Sequence, residues 1–125
     1  MGQQEEYNDA KLTLIEALTG REITLCEYRT EELWVTVWAR LKNGELTVEG
    51  QDLGDAPKKW FGDDEYEYFY FFDQANTDKL LKLLGQDQKD PLECIQQHFS
   101  GLTACRDLRS FCEENGIEYR FDCYY

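Results

Sequence analysis

Residues Leu33 to Leu41 alternate without a break: Leu33, Val35, Val37, Ala39 and Leu41 fall on one side, Trp34, Thr36, Trp38 and Arg40 on the other. A period of two marks a strand whose two faces meet different surroundings, because successive side chains of extended backbone point to opposite sides. Lys42-Asn-Gly-Glu45 follows. Asn-Gly is the pair a two-residue hairpin turn prefers, since both central residues need positive φ. Leu46-Thr-Val-Glu-Gly50 then reads as the returning strand. Any fold open to this chain must contain that antiparallel hairpin.

Three further segments read as strands. Ile23 to Tyr28 precedes the hairpin across the polar turn Arg29–Glu32, and Asp63 to Asp73 follows it. Ile117 to Tyr125 closes the chain, with Ile117, Tyr119, Phe121, Cys123 and Tyr125 on one face. Gln51 to Gly62 reads as a connection broken by Gly54, Pro57 and Gly62, with one helical turn near Lys58-Lys-Trp60. Between the last two strands the period becomes helical. Leu80, Leu81, Leu83 and Leu84 form a stripe after the polar start Asn76-Thr-Asp78. Asp90-Pro91 starts a second helix, a capping carboxylate followed by proline in the first turn, and Leu92, Ile95 and Phe99 form its apolar face. Thr103 is the expected cap of a third, which carries Cys105, Leu108, Phe111 and Cys112 and stops at Asn115-Gly116. At the other end residues 1–7 read as frayed. Asn8 opens a helix with Leu12, Ile15 and Leu18 on one face, ended by Gly20, while Thr13 and Leu14 keep a strand as the second reading.

The 125 residues suit a single domain of the α+β class. Its expected form is a mostly antiparallel, twisted sheet of about five strands, with two or three helices packed chiefly on one face. Strand order does not follow from these patterns.

Charge narrows the partners. The chain has 26 acidic and 13 basic side chains, a formal net charge of −13. Nucleic acids and anionic membranes are held through Lys and Arg, so neither is expected as a partner. A basic protein is, because an acidic surface attracts it and speeds the encounter. No apolar run reaches membrane-spanning length, and Met1-Gly-Gln-Gln-Glu-Glu lacks the basic start and apolar run of a signal peptide. A cytoplasmic protein with reduced thiols is expected, the five cysteines serving as small core residues.

The acidic-aromatic strand is the chief candidate for function. Asp63, Asp64, Glu65 and Glu67 form the densest acidic cluster, and from Gln51 to Asp73 seven acids meet two lysines. Alternation places Tyr66, Tyr68, Tyr70 and Phe72 on one face and Glu65, Glu67, Phe69 and Phe71 on the other. If helices cover the first face, the second joins Trp34 and Trp38 as aromatic anchors rimmed by charge, the composition of a binding hot spot. The plain alternative makes the acids a solvated surface and the rings core, with the N-terminal segment covering them. A homodimer through this face is a further option.

Metal and catalytic chemistry find less support. Cys94 and His98 stand four apart on one helical face, with Cys105 and Cys112 on the next helix, yet packing explains these cysteines with fewer assumptions. Glu65 and Glu67 lie on one strand face, whereas a glycosidase sets its two carboxylates on opposite sides of a sugar. No cofactor motif, metal site or catalytic group is expected.

Glu49-Gly-Gln-Asp-Leu-Gly54, Trp60-Phe-Gly-Asp-Asp-Glu-Tyr-Glu-Tyr68, the leucine helix and Glu114-Asn-Gly-Ile-Glu-Tyr119 together resemble small acidic bacterial proteins of uncharacterised function. The likeness spans about residues 22–121. In size and charge such proteins also resemble the immunity proteins that neutralise bacterial toxins. The resemblance implies a non-catalytic binding protein that masks a basic partner surface, in its sharpest form an immunity protein. Its rivals are a nucleic-acid mimic that inhibits a DNA-binding protein, and a small metal protein or enzyme using Cys94, His98 or the acidic cluster.

Overall fold

In the computed structural model, which describes residues 20–55, 57, 59, 65–85 and 90–125, five strands form one antiparallel sheet in the order of the sequence. They are β1 (Arg21–Arg29), β2 (Leu33–Lys42), β3 (Glu45–Gly54), β4 (Glu65–Phe71) and β5 (Arg120–Tyr124). Three helices lie between the last two strands: α1 (Gln74–Leu84), α2 (Pro91–His98) and α3 (Ala104–Asn115). The architecture is the α+β one expected. None of the described helices is long and apolar enough to cross a membrane.

The β2–β3 hairpin forms where the sequence demands it. Asn43 and Gly44 take φ of 54° and 75°, and pairing runs from Lys42↔Glu45 outward to Leu33↔Gly54. With both central φ positive, the turn matches the right-handed twist of its strands. The pairing holds Val35, Val37 and Ala39 of β2 and Leu46 and Val48 of β3 on one buried face, continued by Tyr70 and Phe72. The helices lay their stripes on that face, with Leu80, Leu81 and Leu84 from α1, Leu92, Cys94 and Ile95 from α2, and Leu108 and Cys112 from α3. Each fully buried Leu or Ile here contributes about 1.5–3 kcal/mol by leaving water.

Two polar devices fix the helices in place. The buried Thr77 hydroxyl of α1 accepts the Leu46 N–H of β3 at 3.0 Å. In β1 the register shifts between Thr24 and Cys26, so Leu25 is the extra residue of a bulge and both Leu25 and Cys26 turn inward. The Leu25 carbonyl, freed from the ladder, accepts the Gly101 N–H at 2.9 Å and ties the α2–α3 turn to the sheet.

Several local expectations shift. The third strand runs on to Gly54, through Gln51 and Asp52, which read as connection. The cap of α1 is Asp73, whose carboxylate accepts the Asn76 N–H at 2.8 Å, so the helix starts before Asn76-Thr-Asp78. Leu83 leaves the leucine stripe and is half exposed, because it lies on the solvent side of α1. Asp90 caps α2 as expected, accepting the Leu92 N–H at 2.9 Å, and pairs with Arg21 of β1. Thr103 stands at the cap position of α3 without capping the backbone, its hydroxyl donating instead to Asp107. Ile117 to Tyr119 are irregular, and β5 begins at Arg120. The expected frayed residues 1–7, the helix read from Asn8, Lys58 and Trp60 of the helical turn, and Asp63 and Asp64 lie outside the described residues. Lys59 of that turn is helical, as are Asp55 and Pro57 before it, which read as connection.

Candidate protein-docking face

The face of the sheet turned away from the described helices is built in rows, one residue per strand. The register aligns Thr24, Trp38, Glu49, Phe69 and Asp122 in one row, and Glu27, Thr36, Gln51, Glu67 and Tyr124 in the next. Arg29, Trp34, Leu53 and Glu65 align beyond these, and Glu22, Arg40, Thr47, Phe71 and Arg120 on the other side. All six described side chains expected here, Trp34, Trp38, Glu65, Glu67, Phe69 and Phe71, therefore share one face.

They do not merge into one aromatic patch. Trp34 and Trp38 belong to β2, Phe69 and Phe71 to β4, and β3 runs between, so the two sets are roughly 10 Å apart across the sheet. The face is two aromatic ridges flanking a polar furrow of Thr47, Glu49 and Gln51. On the β4 ridge Phe69 and Phe71 stack with centroids 5.8 Å apart, and Tyr124 of β5 meets Phe69 edge-on at 5.7 Å. The Arg120 guanidinium lies over Phe71 at 4.3 Å. On the β2 ridge Arg29 lies over Trp34 at 4.7 Å. Trp34 is 36% exposed, and Trp38, Phe69 and Phe71 are half-buried.

Negative charge gathers at the head of the furrow. Glu65 accepts the Gln51 side-chain amide at 2.8 Å. A hydrogen bond shared with Glu65 raises the Glu67 carboxyl above the usual range, helped by partial desolvation and by the charges of Glu65 and Glu49. The arginines of this face are engaged elsewhere: Arg40 pairs with Glu22 at 2.7 Å, Arg120 pairs with Asp122, and Arg29 lies over Trp34. Among the described residues no ion pair reaches Glu49, Glu65 or Glu67. Three carboxylates thus converge with no ion pair among the described residues to neutralise them.

That convergence has a signed consequence. Glu67 binds its proton more tightly folded than unfolded, so its contribution lowers stability as pH rises from the ordinary carboxylate range through the raised value. Glu67→Gln is expected to raise the melting temperature at pH 7 and to leave it nearly unchanged under acid conditions, where the carboxyl is already protonated. Thermal unfolding followed between pH 3 and pH 7 reads the difference, and a variant that is no more stable at pH 7 would show that the carboxylates do not repel.

The β5 contribution (Arg120, Asp122 and Tyr124) and Glu49 were not among the expected contact residues. Glu49 was within reach, since the Asn-Gly turn fixes the register of β3 and puts odd positions outward. Residues of β5 join only because that strand pairs with β4, which no local pattern announces.

The other constellations disperse. The Cys94 thiol is buried against the Leu84 carbonyl at 3.7 Å, and His98 Nδ1 lies 2.9 Å from the Cys94 carbonyl, one turn back on its own helix. Burial pushes the Cys112 thiol up to about 11, and all five cysteines are free. The described residues contain no group of three His, Cys, Asp or Glu side chains placed to hold a metal ion. No protein-family model, curated protein or solved structure matches the chain.

Proposed function

We propose that this chain is a non-catalytic binding protein that masks a basic surface of another protein through the outer face of its sheet. The observation that carries this reading is the convergence of Glu49, Glu65 and Glu67, which no ion pair among the described residues relieves, beside rings that are partly open to solvent. A partner bringing Lys or Arg into the furrow relieves that repulsion, and the ridges of Trp34 and Trp38 and of Phe69 and Phe71 supply apolar area on either side. Desolvated rings beside charged rims are how few residues come to carry most of a binding energy. Asp63 and Asp64, adjoining β4 in sequence, extend the acidic run.

In its sharpest form the partner is a nuclease-type toxin whose nucleic-acid cleft is lined with Lys and Arg, and the chain is its immunity protein in the bacterial cytoplasm. The test begins with the gene immediately upstream. If its product is a basic toxin, co-expression of this chain should restore growth and the two proteins should co-purify. A toxin that kills equally well with the chain present would end the immunity reading. Inhibition of several unrelated DNA-binding proteins by the chain would replace it with nucleic-acid mimicry.

A further inference from the structure

On the helix-covered side of the sheet an opening lies where α3 faces β3, β4 and β5. It is a cavity of about 240 Å³. Asp52 lies at the β3 wall, Tyr66, Tyr70 and Phe121 supply aromatic walls, and Arg106 and Arg109 come from α3. Asp52 is the one acid on the inward side of β3, and the Tyr68 hydroxyl donates to it at 3.0 Å. Burial raises its carboxyl above the usual range, with the Tyr68 bond opposing.

Opposite charges share this cavity without neutralising each other. Among the described residues Asp52 has no ion-pair partner, and Arg106 reaches only its chain neighbour Asp107, at 3.6 Å. The Cys105 thiol feels both sides: burial pushes it up to about 12, against the pull of the Arg109 guanidinium and with the push of the Asp52 carboxylate. Cys105 thus marks the interval between the negative and positive ends. A simple amine would meet the arginines, and a simple acid would meet Asp52. A molecule carrying both charges, with an apolar body between the rings, satisfies every wall. The volume is below the range of about 300–1,000 Å³ that holds drug-sized ligands, which limits the occupant to something smaller.

We propose that this cavity binds a single free α-amino acid with an aromatic or large apolar side chain, its ammonium on Asp52 and its carboxylate on Arg109 and Arg106. The site lies on the opposite side of the sheet from the docking face and does not depend on it. Calorimetric titration of the whole chain with L-phenylalanine, L-tyrosine, L-tryptophan, L-leucine and L-methionine tests the proposal. Phenethylamine and 3-phenylpropionate, each lacking one charge, serve as controls. At least one amino acid should bind, and its one-charge analogue about tenfold more weakly, because each analogue leaves a charged wall unpaired. Asp52→Asn should abolish the preference over the acid analogue. Arg109→Gln, on the exposed side of α3, should abolish the preference over the amine and reports even if the Asp52 variant fails to fold. No heat with any of the five amino acids at millimolar concentration, or an analogue binding as tightly as its parent, would overturn the assignment.

Discussion

Replacing Asp63, Asp64, Glu65 and Glu67 together by lysine is expected to abolish binding to the basic partner while leaving the melting temperature within a few degrees of the parent. Each reversal turns an attraction into a like-charge contact, and such contacts cost several kcal/mol in an interface. A total near 4 kcal/mol already weakens binding about a thousandfold. The fold should tolerate the change, because Glu65 and Glu67 lie on the outer face and no ion pair within the described residues depends on them. In the parent the association rate should fall steeply with added salt, since steering between exposed charges is screened beyond about 8–10 Å. Binding by the quadruple variant at parental strength would show that the acidic furrow does not hold the partner.

Gly50→Ala is expected to destabilise the fold by about 3 kcal/mol, through overpacking and the loss of a polar contact. Gly50 of β3 faces Tyr68 of β4 directly, and the ring lies across it. A methyl group at Gly50 would stand 2.0 Å from Tyr68 Cε2 and 2.2 Å from Cζ, so the ring must leave. Its departure takes away both the cover over the sheet and the hydroxyl that Asp52 accepts. A double-mutant cycle isolates the cause. Urea unfolding of Gly50→Ala in a Tyr68→Ala background should show most of the penalty gone, because the clashing ring is already absent. An equal penalty in both backgrounds would place the cost in the backbone of β3.

The hairpin and the face assignments were legible because each rests on local physics. The alternation of Leu33–Leu41, the Asn-Gly turn and the Asp90-Pro91 start each specify geometry within a few residues, and the structure realises all three. The alternation of β4 likewise separates Tyr66, Tyr68 and Tyr70 from Glu65, Glu67, Phe69 and Phe71 before any partner strand is known. Strand order was not legible, since the pairing of β5 with β4 spans three helices and depends on how those helices cover the sheet. The reach of β3 to Gly54 was hidden by Asp52 and Gly54, residue types depleted in strands; Asp52 is held here between two partner strands and Gly54 pairs with Leu33. Asp52 also breaks the inward apolar pattern, and its contact with Tyr68 across Gly50 joins residues that no local motif relates. Departures from local rules are expected at functional or strained sites, and Asp52 and Tyr68 both line the inner cavity.

Hydroxyl-radical footprinting of the free chain against its complex reads which side of the sheet meets the partner. Trp34, Trp38, Phe69 and Phe71 are expected to be protected on binding, with Leu83 and Leu102, exposed on the helical side, labelled as before. Protection of Leu83 and Leu102 with the four rings unchanged would place the partner on the helical side instead.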